Sequence, residues 1–300
     1  MKNPALAGLL GRAVVAWAVL GLALWLTISA YAAVVASGGG PYQTADWLIS
    51  YAGGFVRRGL FGAIYLAVFP PGQAGLWVLF ALQVLLYAIP IAYAVLWLTR
   101  SKYTWSGVAL VCGPAAFAFV GWDTDGFARK ESLGLTALTL LAIAASPSRK
   151  PAARQAFVVG GLAVCAVAVF TWEGNALLLP GVLFLVLSAF GGWEAGWTGR
   201  AYVLVAAVMA IGGLGLTALY PGTSDTGAMV CSALQGKGLS SRLCGGPFGG
   251  AIGYLGKTPG QMIVTVGQSF PLYGVTCPGS CSRWCRSPPP RGYGSIGAGR

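Results

Sequence analysis

Residues 13–36 read AVVAWAVLGLALWLTISAYAAVVA, twenty-four consecutive positions without a charged side chain. Wound as an α-helix, such a run is about 36 Å long, enough to cross the ~30 Å hydrocarbon core of a bilayer. The segment from Arg12 to Ala36 is longer and more uniformly apolar than the hydrophobic region of a cleaved signal peptide, and no small-residue cleavage site precedes a soluble body. It reads as a retained transmembrane helix.

The pattern repeats along the chain. Of 300 residues, 56% are hydrophobic and only 9% are charged, whereas a soluble domain needs roughly 25% charged residues to cover its surface. Mean hydropathy is +0.72. Lipid must therefore surround most of the polypeptide, and the expected fold is an all-α polytopic transmembrane bundle of seven or eight helices, near 13–36, 75–98, 106–122, 132–146, 155–171, 175–190 and 201–220, with another starting near Gln261. Pro90, Pro114 and Pro180 are expected to kink their helices. The stretch Leu60 to Phe69, LFGAIYLAVF, is too short to cross and is stopped by Pro70 and Pro71, so it reads as an interfacial helix in the first outer loop.

Domain organisation follows: a transmembrane domain over 1–275 and a tail over 276–300, where the apolar run begun at Met262 gives way to TCPGSCSRWCRSPPPRGYGSIGAGR. That tail is either a disordered basic segment or an out-of-frame or truncated end of a longer gene product. Its Cys277, Cys281 and Cys285 lack a fourth ligand and make a poor zinc site.

The net charge of +12 does not point to nucleic acid, because the nineteen Lys and Arg are scattered, form no run beyond two and make no amphipathic stripe. Membrane topology accounts for them. Segments 1–12, 99–105, 147–154 and 191–200 carry eight basic residues in 37 positions, whereas 37–74, 123–131, 172–174 and 221–260 carry seven in 90. The positive-inside rule then places the N-terminus of this multi-pass chain in the cytoplasm. Asp46, Asp123, Asp125, Glu131, Glu173 and Asp225 fall on the outer side, leaving Glu194 as the one acid inside. Cys231 and Cys244 share the long outer loop, where a disulfide is permitted; Cys112 and Cys165 lie in apolar runs and read as small buried hydrophobes.

With no histidine in the chain, proton transfer must use carboxylates, Lys or Tyr. The segment Tyr42 to Gly62, YQTADWLISYAGGFVRRGLFG, concentrates such chemistry. Arg57 and Arg58 suit a phosphate or diphosphate gripped bidentately, Gly53 and Gly54 allow close backbone approach, Asp46 suits a general base or metal ligand, and Trp47, Tyr51 and Phe55 offer faces for a sugar ring. The bland reading is that the arginines snorkel to lipid phosphates and the aromatics form an ordinary interfacial belt.

Two further segments stand out. In WDTDGFARKE, 122–131, Asp123 and Asp125 are spaced to hold Mg²⁺ or Mn²⁺ through hard oxygens, while Arg129 and Lys130 either bind substrate or form an ion-pair network with Glu131. Glu173, in FTWEGN, is flanked by apolar residues that would raise its pKa and suit a general acid. The 221–260 stretch reads as a lid over an outer-facing pocket. No Walker or dinucleotide pattern occurs.

The run DWLISYAGGFVRRGLFG resembles a motif found after the first helix in a group of largely uncharacterised bacterial polytopic membrane proteins, in which a later acid-to-Glu loop, here Asp125 to Glu131, and a boundary Glu followed by Pro, here Glu173 and Pro180, also recur. More loosely, the layout is similar to that of glycosyltransferases using polyprenyl-phosphate sugars and of envelope polysaccharide polymerases, though the first outer loop lacks an adjacent acidic pair. The resemblance implies glycosyl transfer or polymerisation at the outer face, with a polyprenyl-phosphate-linked sugar and membrane lipids as partners. A transporter or flippase, or a non-catalytic assembly protein, is the alternative. Transporters tend to place ionisable groups at mid-helix, whereas here they gather at one boundary.

Overall fold

The computed structural model describes residues 4–100, 104–112, 127–192, 196–245, 250–257, 261 and 264. One unit spans Met1–Lys257 and a second Thr258–Arg300; the following concerns the first. Its described residues form α-helices and short 3₁₀ turns, with no strand: α1 (Pro4–Ala36), α2 (Leu60–Val68), α3 (Gly72–Arg100), α4 (Trp105–Cys112), α5 (Glu131–Ala145), α6 (Pro151–Thr171), α7 (Leu179–Ala189), α8 (Trp197–Leu219) and α9 (Ser224–Gly236).

Four helices contain stretches long and apolar enough to cross a membrane: Leu10–Ala36, Gly72–Leu98, Pro151–Thr171 and Trp197–Leu219. These correspond to four of the expected spans. The 132–146 and 175–190 segments are also helical but short, and the latter opens with a 3₁₀ turn over Glu173–Leu178 before α7 begins. Of 106–122, helix is seen as far as Cys112; its remainder, the start near Gln261 and the 276–300 tail fall outside the described residues, apart from positions 261 and 264.

Large apolar side chains point outward, an arrangement suited to lipid: Leu22, Trp25 and Leu26 on α1, and Leu204, Val208 and Ile211 on α8 are all exposed. Pro180 does not kink a helix. It occupies the first turn of α7, where its missing N–H removes no internal hydrogen bond. Pro90 lies inside α3, which continues through it, and Pro114 is outside the described residues.

Helices α5 to α8 close on one another through small residues. Gly161 of α6 meets the Leu141 side chain, and Gly213 of α8 packs so tightly on Val169 that a Cβ there would overlap it. A second core lies under the segment after α1. There Trp47, Leu48 and Ile49 are fully buried with Tyr31, Leu79, Phe127 and Leu234. The 60–69 stretch is helical and ends before Pro70, as its sequence suggests; Gly62 lets α2 rest directly on the Ile49 carbonyl.

The 221–260 stretch is more than a loop. It contains α9, capped by reciprocal Thr223 and Thr226 hydrogen bonds, and Cys231 and Cys244 form the disulfide that their shared loop permits. A backbone bond from Ala251 N–H to the Pro41 carbonyl fastens it to the 37–59 segment, and one from Arg57 N–H to the Tyr220 carbonyl ties that segment to the end of α8. Cys165 is buried, as expected, and Cys112 half-buried.

Candidate functional site

Glycines start the site. Beyond α1, Gly38 and Gly39 adopt φ of +97° and +87°, a left-handed turn open to glycine without steric cost. The chain then folds back beneath the bundle end in two 3₁₀ turns, Asp46–Leu48 and Tyr51–Gly53, before Arg57, Arg58 and α2.

Five charged side chains from three separate segments converge there. Lys130, at the entry to α5, has a side chain only 1% exposed, and its Nζ lies 3.4 Å from Asp46 Oδ1, whose residue keeps 21% of its side-chain surface. The ammonium also donates to the Thr171 carbonyl at 3.1 Å and the Arg58 carbonyl at 3.3 Å. Glu173, just past α6, accepts from Arg58 Nε at 2.9 Å and from Arg58 Nη2 at 2.6 Å, a bidentate pair. Arg57 Nη1 approaches the same carboxylate at 3.5 Å, and its Nη2 donates to the Tyr254 carbonyl at 3.4 Å. Arg57 Nε is buried without a partner.

Backbone strain accompanies this convergence. Arg58 and Ala128 have φ of +69° and +61°, a conformation that L-residues other than glycine visit at a cost of roughly 1–2 kcal/mol. Each turns a carbonyl toward buried donors: Arg58 toward Lys130, and Ala128 toward Trp47 Nε1 at 2.5 Å and Gln83 Nε2 at 3.0 Å. Gln83 continues the network, its Oε1 accepting from Tyr31 O–H at 2.9 Å, which lies 3.0 Å from Thr44 Oγ1. Asn175 Nδ2 donates to the Ala168 carbonyl at 3.0 Å and the Lys130 carbonyl at 3.4 Å.

Electrostatics separate the groups. Burial lowers the Lys130 pKa to about 8, opposed by the neighbouring Asp46 carboxylate. Burial alone would raise Glu173, but the hydrogen bonds and charge of Arg58, helped by Arg57, hold its carboxyl below the ordinary range. Glu173 is therefore an ionised partner of arginine, not the proton-holding general acid that its apolar neighbours in sequence suggest. Arg57 is lowered by burial and by the charge of Arg58, while Arg58 is raised by Glu173 against its own burial.

Several expected contributors take other roles. Trp47 is fully buried, edge-on to Phe61 at 4.7 Å, and cannot receive a sugar on its face. Tyr51 and Phe55 stack at 5.1 Å, and Phe55 meets the Tyr220 edge at 5.0 Å; this set stays partly exposed beside the arginines. Gly53 has no room for a ligand, because a Cβ there would sit 3.0 Å from Thr226 Cα of α9, whereas Gly54 faces open space at φ of +95°. Lys130 pairs with Asp46 instead of joining Arg129 and Glu131, which form a loose, exposed pair at 3.8 Å. Asp123 and Asp125, expected to hold Mg²⁺ or Mn²⁺, lie outside the described residues, and among the described residues no group of three or more Cys, Asp or Glu side chains gathers to ligate a metal.

Sequence reasoning missed Gln83, Tyr31, Thr44 and Asn175. The signal was a lone amide in the middle of the apolar run of α3, where an unpaired polar side chain would be costly and so implies a buried partner. No family model, curated protein or solved structure matches this chain, so the site is read from its own geometry.

Proposed function

We propose that the chain is a multi-pass protein of a bacterial inner membrane that performs glycosyl transfer or polymerisation in envelope polysaccharide assembly, using a lipid-linked sugar donor at the outer face, with the N-terminus in the cytoplasm. The observation that carries this reading is an excess of cation: Arg57, Arg58 and Lys130 stand against Asp46 and Glu173. A site with more guanidinium and ammonium than carboxylate favours an anion such as a phosphate or diphosphate.

Division of labour follows from the pairing. Arg58 is engaged by Glu173 on two nitrogens and holds the loop, whereas the terminal nitrogens of Arg57 make only long contacts and can turn to a phosphate oxygen. Asp46, held at one oxygen by Lys130 and still partly exposed, is oriented to accept a proton from an acceptor hydroxyl. The adjoining Tyr51, Phe55 and Tyr220 rings offer the apolar flank a sugar ring needs. The looser similarity of layout to glycosyltransferases that use polyprenyl-phosphate sugars points the same way.

A second reading, transport or flipping of an envelope component, is favoured by the depth of Lys130, since a buried cation paired with a partly exposed carboxylate is also what a partner-exchanging path contains. One experiment separates them. Asp46→Asn and Arg57→Ala are introduced singly into the whole chain in its native host, and lipid-linked intermediates and surface glycans are profiled on each side of the membrane. Transfer predicts loss of the glycan with the lipid-linked donor accumulating on the outer face; transport predicts accumulation on the inner face. Unaltered profiles at normal protein levels refute both.

A further inference from the structure

At the opposite end of the bundle, where α3 finishes and α5 and α6 are joined, a cavity of about 110 Å³ is lined by Tyr93, Leu96, Trp97, Ile143 and Arg149. Its walls are largely apolar, and Arg149 is the one charged side chain among them. Leu96 and Trp97 are exposed to the bundle's surroundings, so the cavity opens sideways to where lipid would lie. Arg149 is braced: its guanidinium lies 5.5 Å from the Phe157 ring centre, and Arg154 Nη2 reaches its carbonyl at 3.5 Å. Yet the Nε atoms of both Arg149 and Arg154 are buried without a hydrogen-bond partner, and among the described residues neither guanidinium is in an ion pair. Lys150 adds a second positive charge to the 146–150 connection, and Arg154 a third in the first turn of α6.

From this we infer that the α3–α5 cavity binds an anionic phospholipid, with Arg149 on the phosphate and Trp97, Leu96 and Ile143 along the first part of an acyl chain. The Arg149 guanidinium lines this cavity with no carboxylate paired to it among the described residues, and an anion supplies the missing counter-charge. Apolar walls give nothing to a free inorganic anion, but they suit a ligand whose charged head and hydrocarbon chain are joined. Basic pockets between transmembrane helices recognise lipid head groups by this combination. The site is independent of the charged cluster around Asp46 and needs only that the bundle lies in a bilayer.

The purified whole chain, embedded in lipid discs of phosphatidylcholine containing a minor share of phosphatidylglycerol, is released into the gas phase, and its retained lipids are weighed. The wild type is expected to retain phosphatidylglycerol in preference to phosphatidylcholine. Arg149→Glu and the milder Arg149→Gln each lower that preference by about tenfold, the loss of one charge-assisted hydrogen bond, while Arg149→Lys keeps part of it. Arg242→Glu, at the far end, leaves it unchanged. Equal preference in wild type and both Arg149 variants overturns the inference. So does displacement of phosphatidylglycerol by millimolar inorganic phosphate, which marks a free-anion site. If Arg149→Glu misfolds, Trp97→Ala removes the cavity wall without touching charge; unchanged selectivity then overturns the proposal as well.

Discussion

Between α5, α6, α7 and α8 the buried side chains are small or aliphatic, with Ala137, Ala144, Ala206 and Ala210 beside Leu141, Val158 and Val182. The core beneath the 37–59 segment instead buries Gln83, Lys130 and Asn175 among its aromatics. Close packing of small residues is what helices need to associate in lipid, where hydrophobicity gives no drive between them. The other core carries a desolvation cost, two left-handed residues and five charged groups, none of which bundle formation alone requires. That contrast marks the second region as the one whose costs helix packing does not explain.

The largest effect is expected from Glu173→Gln. It leaves Arg58 buried against a neutral partner and should lower stability by about 3 kcal/mol, the low end for a broken buried pair because Glu173 keeps some contact with solvent. Thermal unfolding in detergent measures it, and a shift no larger than that of a surface control would dissolve the contrast. Gly213→Ala probes the apolar core. Its new Cβ overlaps Val169, so a loss of about 1–3 kcal/mol is expected, without change in the site's function.

A smaller effect depends on pH. The Lys130 pKa is about 8 when folded against an ordinary 10.5, so between those values the unfolded chain binds more protons and stability rises with pH. Below pH 8 both states are charged and this contribution is flat. The groups facing Lys130 are Asp46, Arg58 and Glu173, and Lys130→Met should abolish the rise; a slope that persists would assign it elsewhere. Smallest of all, Ala128→Gly should change stability by less than about 1 kcal/mol, because relief of the positive φ is offset by glycine's greater freedom when unfolded.

The bundle was legible in sequence because apolar length is a one-dimensional signal, and the four long helices follow it closely. The Cys231–Cys244 bridge and the helix over Leu60–Val68 were legible for similar local reasons. Pairings were not. Glu173 looks apolar when judged by Trp172 and Ala176, but its environment is set by Arg58, 115 positions earlier. Lys130 has Arg129 and Glu131 as chain neighbours, yet the turn at Ala128 carries it inward to Asp46. Trp47 reads as an interfacial ring until the Ala128 carbonyl, which exists as an acceptor only through that fold, claims its N–H.

Arg58 and Glu173 act as one unit that fixes the loop bearing Asp46 and Arg57. A double-mutant cycle with Arg58→Met, Glu173→Met and the pair together, read by thermal unfolding of the purified chain, tests this directly. The account predicts that each single change is more damaging than the double, with a coupling of about 2 kcal/mol or more. Losses that simply add, within about 0.5 kcal/mol, would contradict it.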